Sequence, residues 1–269
     1  MSITICNFSN VYGNQPYLEG LRLSGNATWL DLSGISGTDC YCDDEAVQAI
    51  NAELNKAGHN DASGIHFIDN GNYHYMSKLW TDRISEPFTL VVFDHHPDMQ
   101  EPRFGDILSC GGWIKKVLNE NKFIDNVVII GVADHLVEET TPHDKVSFIR
   151  ESELYQIPGQ ARNDAIASTV QTSWRPWSRH LESASLYISI DKDVLSPTDA
   201  ATNWDQGSLS LDQMKTFIRE LAKERKIVGV DICGERAHDF SGDESHSVQE
   251  ADALNDRTNR ELVDFLQNL

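Results

Sequence analysis

The stretch Thr89–Gln100, TLVVFDHHPDMQ, runs an apolar segment directly into two aspartates and two histidines. Its first half reads as a buried strand, and its second half is too polar to be buried without a reason. Side chains alternate across an extended chain, so Asp94, His96 and Asp98 at i, i+2 and i+4 project from one face, with neighbours roughly 6.5–7 Å apart. Pro97 cannot donate to a sheet ladder, so the strand is expected to turn away there and to wrap those three groups around one point. His95 points to the opposite side and is expected to pack or to support.

Similar β-branched and aromatic runs recur along the chain: SITICNF, ATWLDLSG, GIHFID, NVVIIGV, KVSFI, LYISID and KIVGVDI. Several are apolar on both faces, as parallel strands covered by helices tend to be. Between them lie stretches with helical spacing, EAVQAINAELNKAG, GGWIKKVLNEN, DAIASTVQTS and SLDQMKTFIRELAKER, and ELVDFLQNL closes the chain. Ser210 followed by Gln213 predicts a capping box at the start of the fourth. Alternating strands and helices without a composition break predict a single three-layer α/β domain over residues 1–269, a parallel sheet of about eight strands with helices on both faces. Such folds place their chemistry beyond the carboxyl ends of the strands, where Asp94 to Asp98 fall.

Composition narrows the function. The chain has 22 Lys and Arg against 42 Asp and Glu, a net charge of −20, which argues against nucleic acid because phosphate binding needs a basic footprint. The same field repels anionic membrane surfaces and favours cationic substrates. The N-terminal MSITICNFSNVYG has neither a basic region nor a long apolar core, so no signal peptide is expected, and no apolar run reaches a membrane span. Five cysteines, Cys6, Cys40, Cys42, Cys110 and Cys233, form no C-x-x-C pair, and a reducing cytoplasm is the expected location.

A second acidic cluster strengthens the first. LYISIDKDVLSP again carries an apolar strand into same-face carboxylates, Asp191 and Asp193. Four carboxylates gathered in one cleft cannot all stay ionised without a cation between them. His74, after the strand GIHFID and at the start of a helical stretch, supplies a further donor, whereas His66 within that strand reads as a core residue. Two histidines and four aspartates make a set too hard for structural zinc; it suits Mn²⁺ best, with other divalent metals as alternatives, and six donors suit two metals sharing bridging carboxylates better than one.

These residues resemble the ureohydrolases, the family of arginase, agmatinase and their relatives in the arginase and deacetylase superfamily. The family pattern is an upstream histidine, D-x-H-x-D, then D-x-D followed by proline; here these are His74, Asp94-His95-His96-Pro97-Asp98, and Asp191-Lys192-Asp193 with Pro197. The resemblance runs from about His66 to Glu235 and implies an arginase-like fold. It implies that His74 and Asp98 bind one manganese, His96 and Asp193 the other, and that Asp94 and Asp191 bridge them with a hydroxide. That hydroxide would attack a guanidinium carbon and release urea, with Asp98 as the catalytic proton carrier. Family members are commonly trimers or hexamers, so a homo-oligomer is compatible with the resemblance.

The chain departs from the pattern on the substrate side. The proton-shuttle histidine of the arginine enzymes falls in DILSCGGWIKK, where Ser109 or Cys110 stands. The glutamate that holds the guanidinium aligns with Gly234, and Glu235, one residue later, is the expected substitute, because a bidentate carboxylate is the strong partner for a guanidinium; a structural salt bridge is the alternative. The acid that binds a free α-amino group is replaced by Leu136, preceded by Asp134 and His135, and the Asn after D-x-H-x-D is replaced by Gln100, an expected substrate-binding position. Metal and hydroxide chemistry is intact while recognition of free arginine is not. This points to arginine within a peptide, converted to ornithine, or to another guanidino compound. Trp204 and Asp205 are expected to line the open cleft. Asp144, Asp239, Asp243 and Glu244, in the acidic loops, read individually as solvated surface. An amine deacetylase of the same superfamily, and a metal-stabilised binding protein without catalysis, are the competing readings.

Overall fold

The chain's structure, a computed structural model, describes residues 1–102, 104–154, 183–241 and 246–269. Its strands are β1 (Ile3–Asn7), β2 (Thr28–Asp31), β3 (Tyr41–Cys42), β4 (Ile65–Phe67), β5 (Phe88–Phe93), β6 (Leu108–Ser109), β7 (Ile124–Val132), β8 (Val146–Arg150), β9 (Ser185–Asp191) and β10 (Lys226–Cys233). Eight of them form one sheet in the order β2-β1-β4-β10-β9-β5-β7-β8, and every pairing in it is parallel. The remaining two, β3 and β6, pair with each other as a short antiparallel ladder. All eight runs read as strands from the sequence are the eight strands of the sheet.

β5 and β9 are buried along their whole length, because helices cover both faces. Alternate residues feed two cores. Val91, Phe93, Ile188 and Ile190 face the helices Leu211–Ala222 and Val248–Gln267 through Met214, Phe217, Leu262 and Val263. Leu90, Val92 and Tyr187 face the other side, where Ile50 and Leu54 of the helix Asp44–Lys56 and Trp113 and Val117 of the helix Trp113–Glu120 pack. The predicted capping box is present, with Ser210 Oγ accepting from Gln213 N–H and the Gln213 side chain accepting in return.

The last helix differs from expectation. It begins at Val248, after a second capping box from Ser247 and Glu250, well before the ELVDFLQNL run. Asp252, Asn255, Thr258 and Asn259 occupy its inward face and are buried, so the apolar period that signals a helix is hidden by polar side chains. They have partners: Asn255 exchanges two hydrogen bonds with the Ala201 backbone, and Thr258 donates to the Asp199 carbonyl. This helix therefore props the segment that follows Asp191-Lys192-Asp193. The helical stretch DAIASTVQTS lies outside the described residues.

Candidate metal centre

The parallel sheet aims the carboxyl ends of β4, β9 and β5 at one place. Asp94 follows β5 directly, Asp191 ends β9 with Asp193 in the turn beyond it, and His74 follows β4 through the short turn Gly71–Tyr73. The structure brings all six expected donors together. His74 Nδ1 lies 3.0 Å from Asp98 Oδ2, 3.3 Å from Asp94 Oδ2 and 3.4 Å from Asp191 Oδ2. His96 Nδ1 lies 2.8 Å from Asp193 Oδ2 and 3.6 Å from Asp94 Oδ1. Two clusters that could each hold a metal ion result, His74 with Asp94 and Asp98, and Asp94 with His96 and Asp193. Asp94 belongs to both, offering one oxygen to each side.

The surrounding hydrogen bonds orient these groups. His74 Nε2–H donates to Ser189 Oγ at 2.9 Å, and Ser189 Oγ–H donates to Asp231 Oδ1 at 2.7 Å. With the Nε2 proton so engaged, Nδ1 is the ring nitrogen that faces the three carboxylates and the one that a metal ion would take. Trp113 Nε1–H donates to Asp98 Oδ2 at 2.7 Å, and Asp98 takes a left-handed φ of 46° to reach the cluster. The His95 backbone N–H donates to Asp193 Oδ1 at 3.0 Å while its ring sits by the Gly131 carbonyl, so His95 supports the site from the far side of the strand. His66 is fully buried, stacked on Trp80 at 3.6 Å, a core residue as expected.

The electrostatics of the site call for a cation. Burial, with the Asp193 charge beside it, raises Asp191 well above the ordinary carboxylate range, and burial with Asp94 raises Asp193. Burial works against charge on His96 as well, yet its hydrogen bonds to Asp193 and Asp94 win and push it up to about 12. His74 is likewise lifted by Asp94 and Asp98 in spite of its burial. Asp94 Oδ2 is buried without a hydrogen-bond donor. Buried carboxylates, two imidazoles that hold protons against them, and an unpartnered carboxylate oxygen fit divalent metal ions, which would take the place of those protons among oxygen and imidazole donors of this hardness.

A cleft of about 280 Å³ opens over the cluster, bordered by Tyr41, Gln100, Ser109, Cys110 and Trp204 besides the six donors. A family model described as the Arginase family matches residues 45–235. The chain belongs to the arginase family. A Thermotoga maritima protein described only as uncharacterized is 33% identical over 172 residues, which is 64% of this chain and 58% of that protein's length. The proclavaminate amidino hydrolase of Streptomyces clavuligerus shares the fold with a TM-score of 0.64 at 14% identity, over 98% of this chain and 90% of that one. The arginase of Bacillus subtilis does so with a TM-score of 0.64 at 14% identity, over 99% and 98%.

Within the arginase family framework, two expectations on the substrate side meet different fates. Gln100 does border the cleft. Glu235 does not: its Oε1 accepts from Lys192 Nζ at 2.5 Å and Asn259 Nδ2 at 2.8 Å, and its Oε2 from Gln15 Nε2 at 2.8 Å. Both oxygens are taken in a fully buried network, so Glu235 forms the structural salt bridge and does not clamp a ligand in the cleft. Gly234, at the position where the family pattern has its glutamate, takes a φ of 89°, and a Cβ there would stand 2.3 Å from Asp191 Oδ1. No side chain fits at that point. Leu136 packs on a hydrophobic core, Asp134 binds the Ser152 backbone and hydroxyl, and Asp144, Asp205 and Asp239 are exposed outside the cleft lining. Asp243 and Glu244 lie outside the described residues.

Several site residues escaped the sequence reading. Ser189 and Asp231 had a readable signal, a lone polar residue inside an otherwise apolar strand, with the two paired across β9 and β10. Trp113 and Cys40 had none, because neither belongs to a motif and each reaches the site only through tertiary packing.

Proposed function

We propose that this chain is a dinuclear-metal hydrolase of guanidino groups that releases urea, acting on arginine held within a larger cationic substrate such as a peptide and leaving ornithine there. The observation that carries the reading is Asp94, with one carboxylate oxygen turned to each of two His-Asp clusters. Two Mn²⁺ ions, His74 and Asp98 on one, His96 and Asp193 on the other, Asp94 and Asp191 between, would supply Lewis acidity that makes water a nucleophile near neutral pH. Asp98 would take the proton of the attacking water on Oδ1, the oxygen that Trp113 does not hold, and return it to the leaving nitrogen. Trp113 and the Ser189–Asp231 pair keep Asp98 and His74 from turning away as that proton moves.

The walls of the cleft support the substrate class. Leu136, at the position where the free-arginine enzymes carry the acid for the α-amino group, is packed on a hydrophobic core and offers no charge to a free amino acid. Trp204, 43% exposed and packed over Gly71, and Tyr41 in the same cleft lining offer aromatic faces on which a planar cation can stack. An aromatic wall open to solvent tolerates a long chain behind the guanidino group, whereas a pocket for a free amino acid would close around its termini. Metal analysis tests the reading. The wild-type chain should bind two Mn per chain and release urea, and Asp94→Asn should lose both properties, at least about a hundredfold in rate, since even the residues that merely orient metal ligands carry 10–100-fold. One Mn or fewer in the active wild-type chain, unchanged by His74→Ala, would refute the dinuclear assignment.

A further inference from the structure

Cys40 and Cys110 are used by neither the metal cluster nor the proton path, yet they meet at the cleft. Tyr41 pairs with Ser109 and Cys42 with Leu108 in the antiparallel ladder, which ends one residue short of Cys40 and Cys110, where Cys40 takes a left-handed φ of 59°. The Cys110 backbone N–H donates to the Cys40 carbonyl at 2.9 Å and holds the two residues side by side beyond the ladder. Their thiols are themselves joined by a hydrogen bond, the proximity that a disulfide, with Cα atoms about 4.4–6.8 Å apart, requires. Both side chains line the cleft and are half-buried, in contrast to Cys6, Cys42 and Cys233, which are buried.

We propose that Cys40 and Cys110 are a redox-active dithiol on the cleft wall, converted to an intramolecular disulfide by oxidants of the peroxide or small-disulfide class. The two thiols differ in the way such a pair requires. A hydrogen bond from the Cys110 thiol holds Cys40 below the usual thiol range despite some burial, whereas Cys110 is raised by that same bond and by burial. Cys40 is the attacking sulfur and Cys110 the resolving one. With hydrogen peroxide, the Cys40 thiolate attacks one oxygen, the O–O bond breaks, and Cys40 sulfenic acid and hydroxide form. The Cys110 sulfur then displaces hydroxide from the sulfenic sulfur, the S–S bond forms, and the two thiol protons leave as water with the two oxygens. With oxidised glutathione, Cys40 forms the mixed disulfide and releases one glutathione, and Cys110 releases the second.

The test is independent of urea chemistry. The full-length, Mn-loaded and fully reduced chain is exposed to hydrogen peroxide or oxidised glutathione, the remaining thiols are alkylated, and the peptides are analysed by mass spectrometry. The expected result is a Cys40–Cys110 cross-linked peptide, lost on reduction, with the other three cysteines alkylated. In Cys110→Ser, Cys40 should stop at the sulfenic acid, trapped by a dimedone probe, or at the glutathione adduct; in Cys40→Ser, Cys110 should react at least tenfold more slowly. A cross-link between any other pair, no cross-link in the wild-type chain, or a Cys40 left unmodified in Cys110→Ser would overturn the proposal. Circular dichroism of both variants separates misfolding from loss of the thiol, and Cys→Ala at the same positions repeats the test with an apolar replacement.

Discussion

Ser189 receives the Nε2 proton of His74 and passes its own to Asp231, so one hydroxyl sets both the tautomer and the ring orientation of a candidate ligand. Burial holds the Asp231 carboxyl up at about 6, against the pull of His74, so it is a carboxylate near neutral pH and accepts the serine proton there. Partners of this kind carry about 10–100-fold in metal affinity. Ser189→Ala is therefore expected to weaken the Mn affinity by that factor while leaving the fold intact, which chelator competition measures. A second residue-scale prediction concerns His66, which burial holds at about 3 while the unfolded chain titrates near its ordinary 6.5. The unfolded state takes up the proton first, so the contribution of neutral His66 is full above pH 6.5 and is lost as pH falls toward 3, with a ceiling on the order of 5 kcal/mol. The urea midpoint of the wild-type chain should thus fall more steeply between pH 6.5 and 4.5 than that of His66→Gln. Parallel slopes would remove His66 from the acid response.

Among the elements, the turn after β9 is held from behind by the end of β10 and by the C-terminal helix. Lys192 stands between Asp191 and Asp193, and its Nζ bonds Glu235 and Asn259 with all three side chains buried. Removing one partner of a buried ion pair leaves an uncompensated charge and costs about 3–5 kcal/mol. Glu235→Ala should lower unfolding stability by that amount in chemical denaturation; a variant of wild-type stability with only a raised KM would instead restore Glu235 to the substrate. This is also where sequence reading met its limit. D-x-H-x-D and D-x-D display their chemistry in the period of the strand, and burial of β5 and β9 follows from their apolar runs. Glu235 carried the right chemistry for a guanidinium, but only the packing of Gln15, Lys192 and Asn259 around it decides which way it points. The C-terminal helix was half legible for the same reason, its inward polar face being paired by contacts that lie far away in sequence.

At the scale of the molecule, eight runs of the sequence became eight strands of one parallel sheet, because continuous apolar runs covered on both faces have few other solutions. None of the described helices is long and apolar enough to cross a membrane. The charge of −20 surrounds a cleft whose floor is itself acidic, and such a field draws cations and repels anionic polymers. A metal-type floor is combined with Leu136 in place of the acid that would hold a free α-amino group, and the proposed function rests on this combination. Its most direct test is urea release from the Mn-loaded chain on three substrates side by side: free arginine, agmatine and an arginine-containing peptide. The account predicts urea from the peptide, with the matching residue becoming ornithine, and a rate on free arginine lower by at least about tenfold, as expected from the roughly 1.4 kcal/mol that a single lost contact represents. Urea from free arginine alone would contradict the substrate assignment, and acetate from acetylated amines without any urea would contradict the chemistry itself.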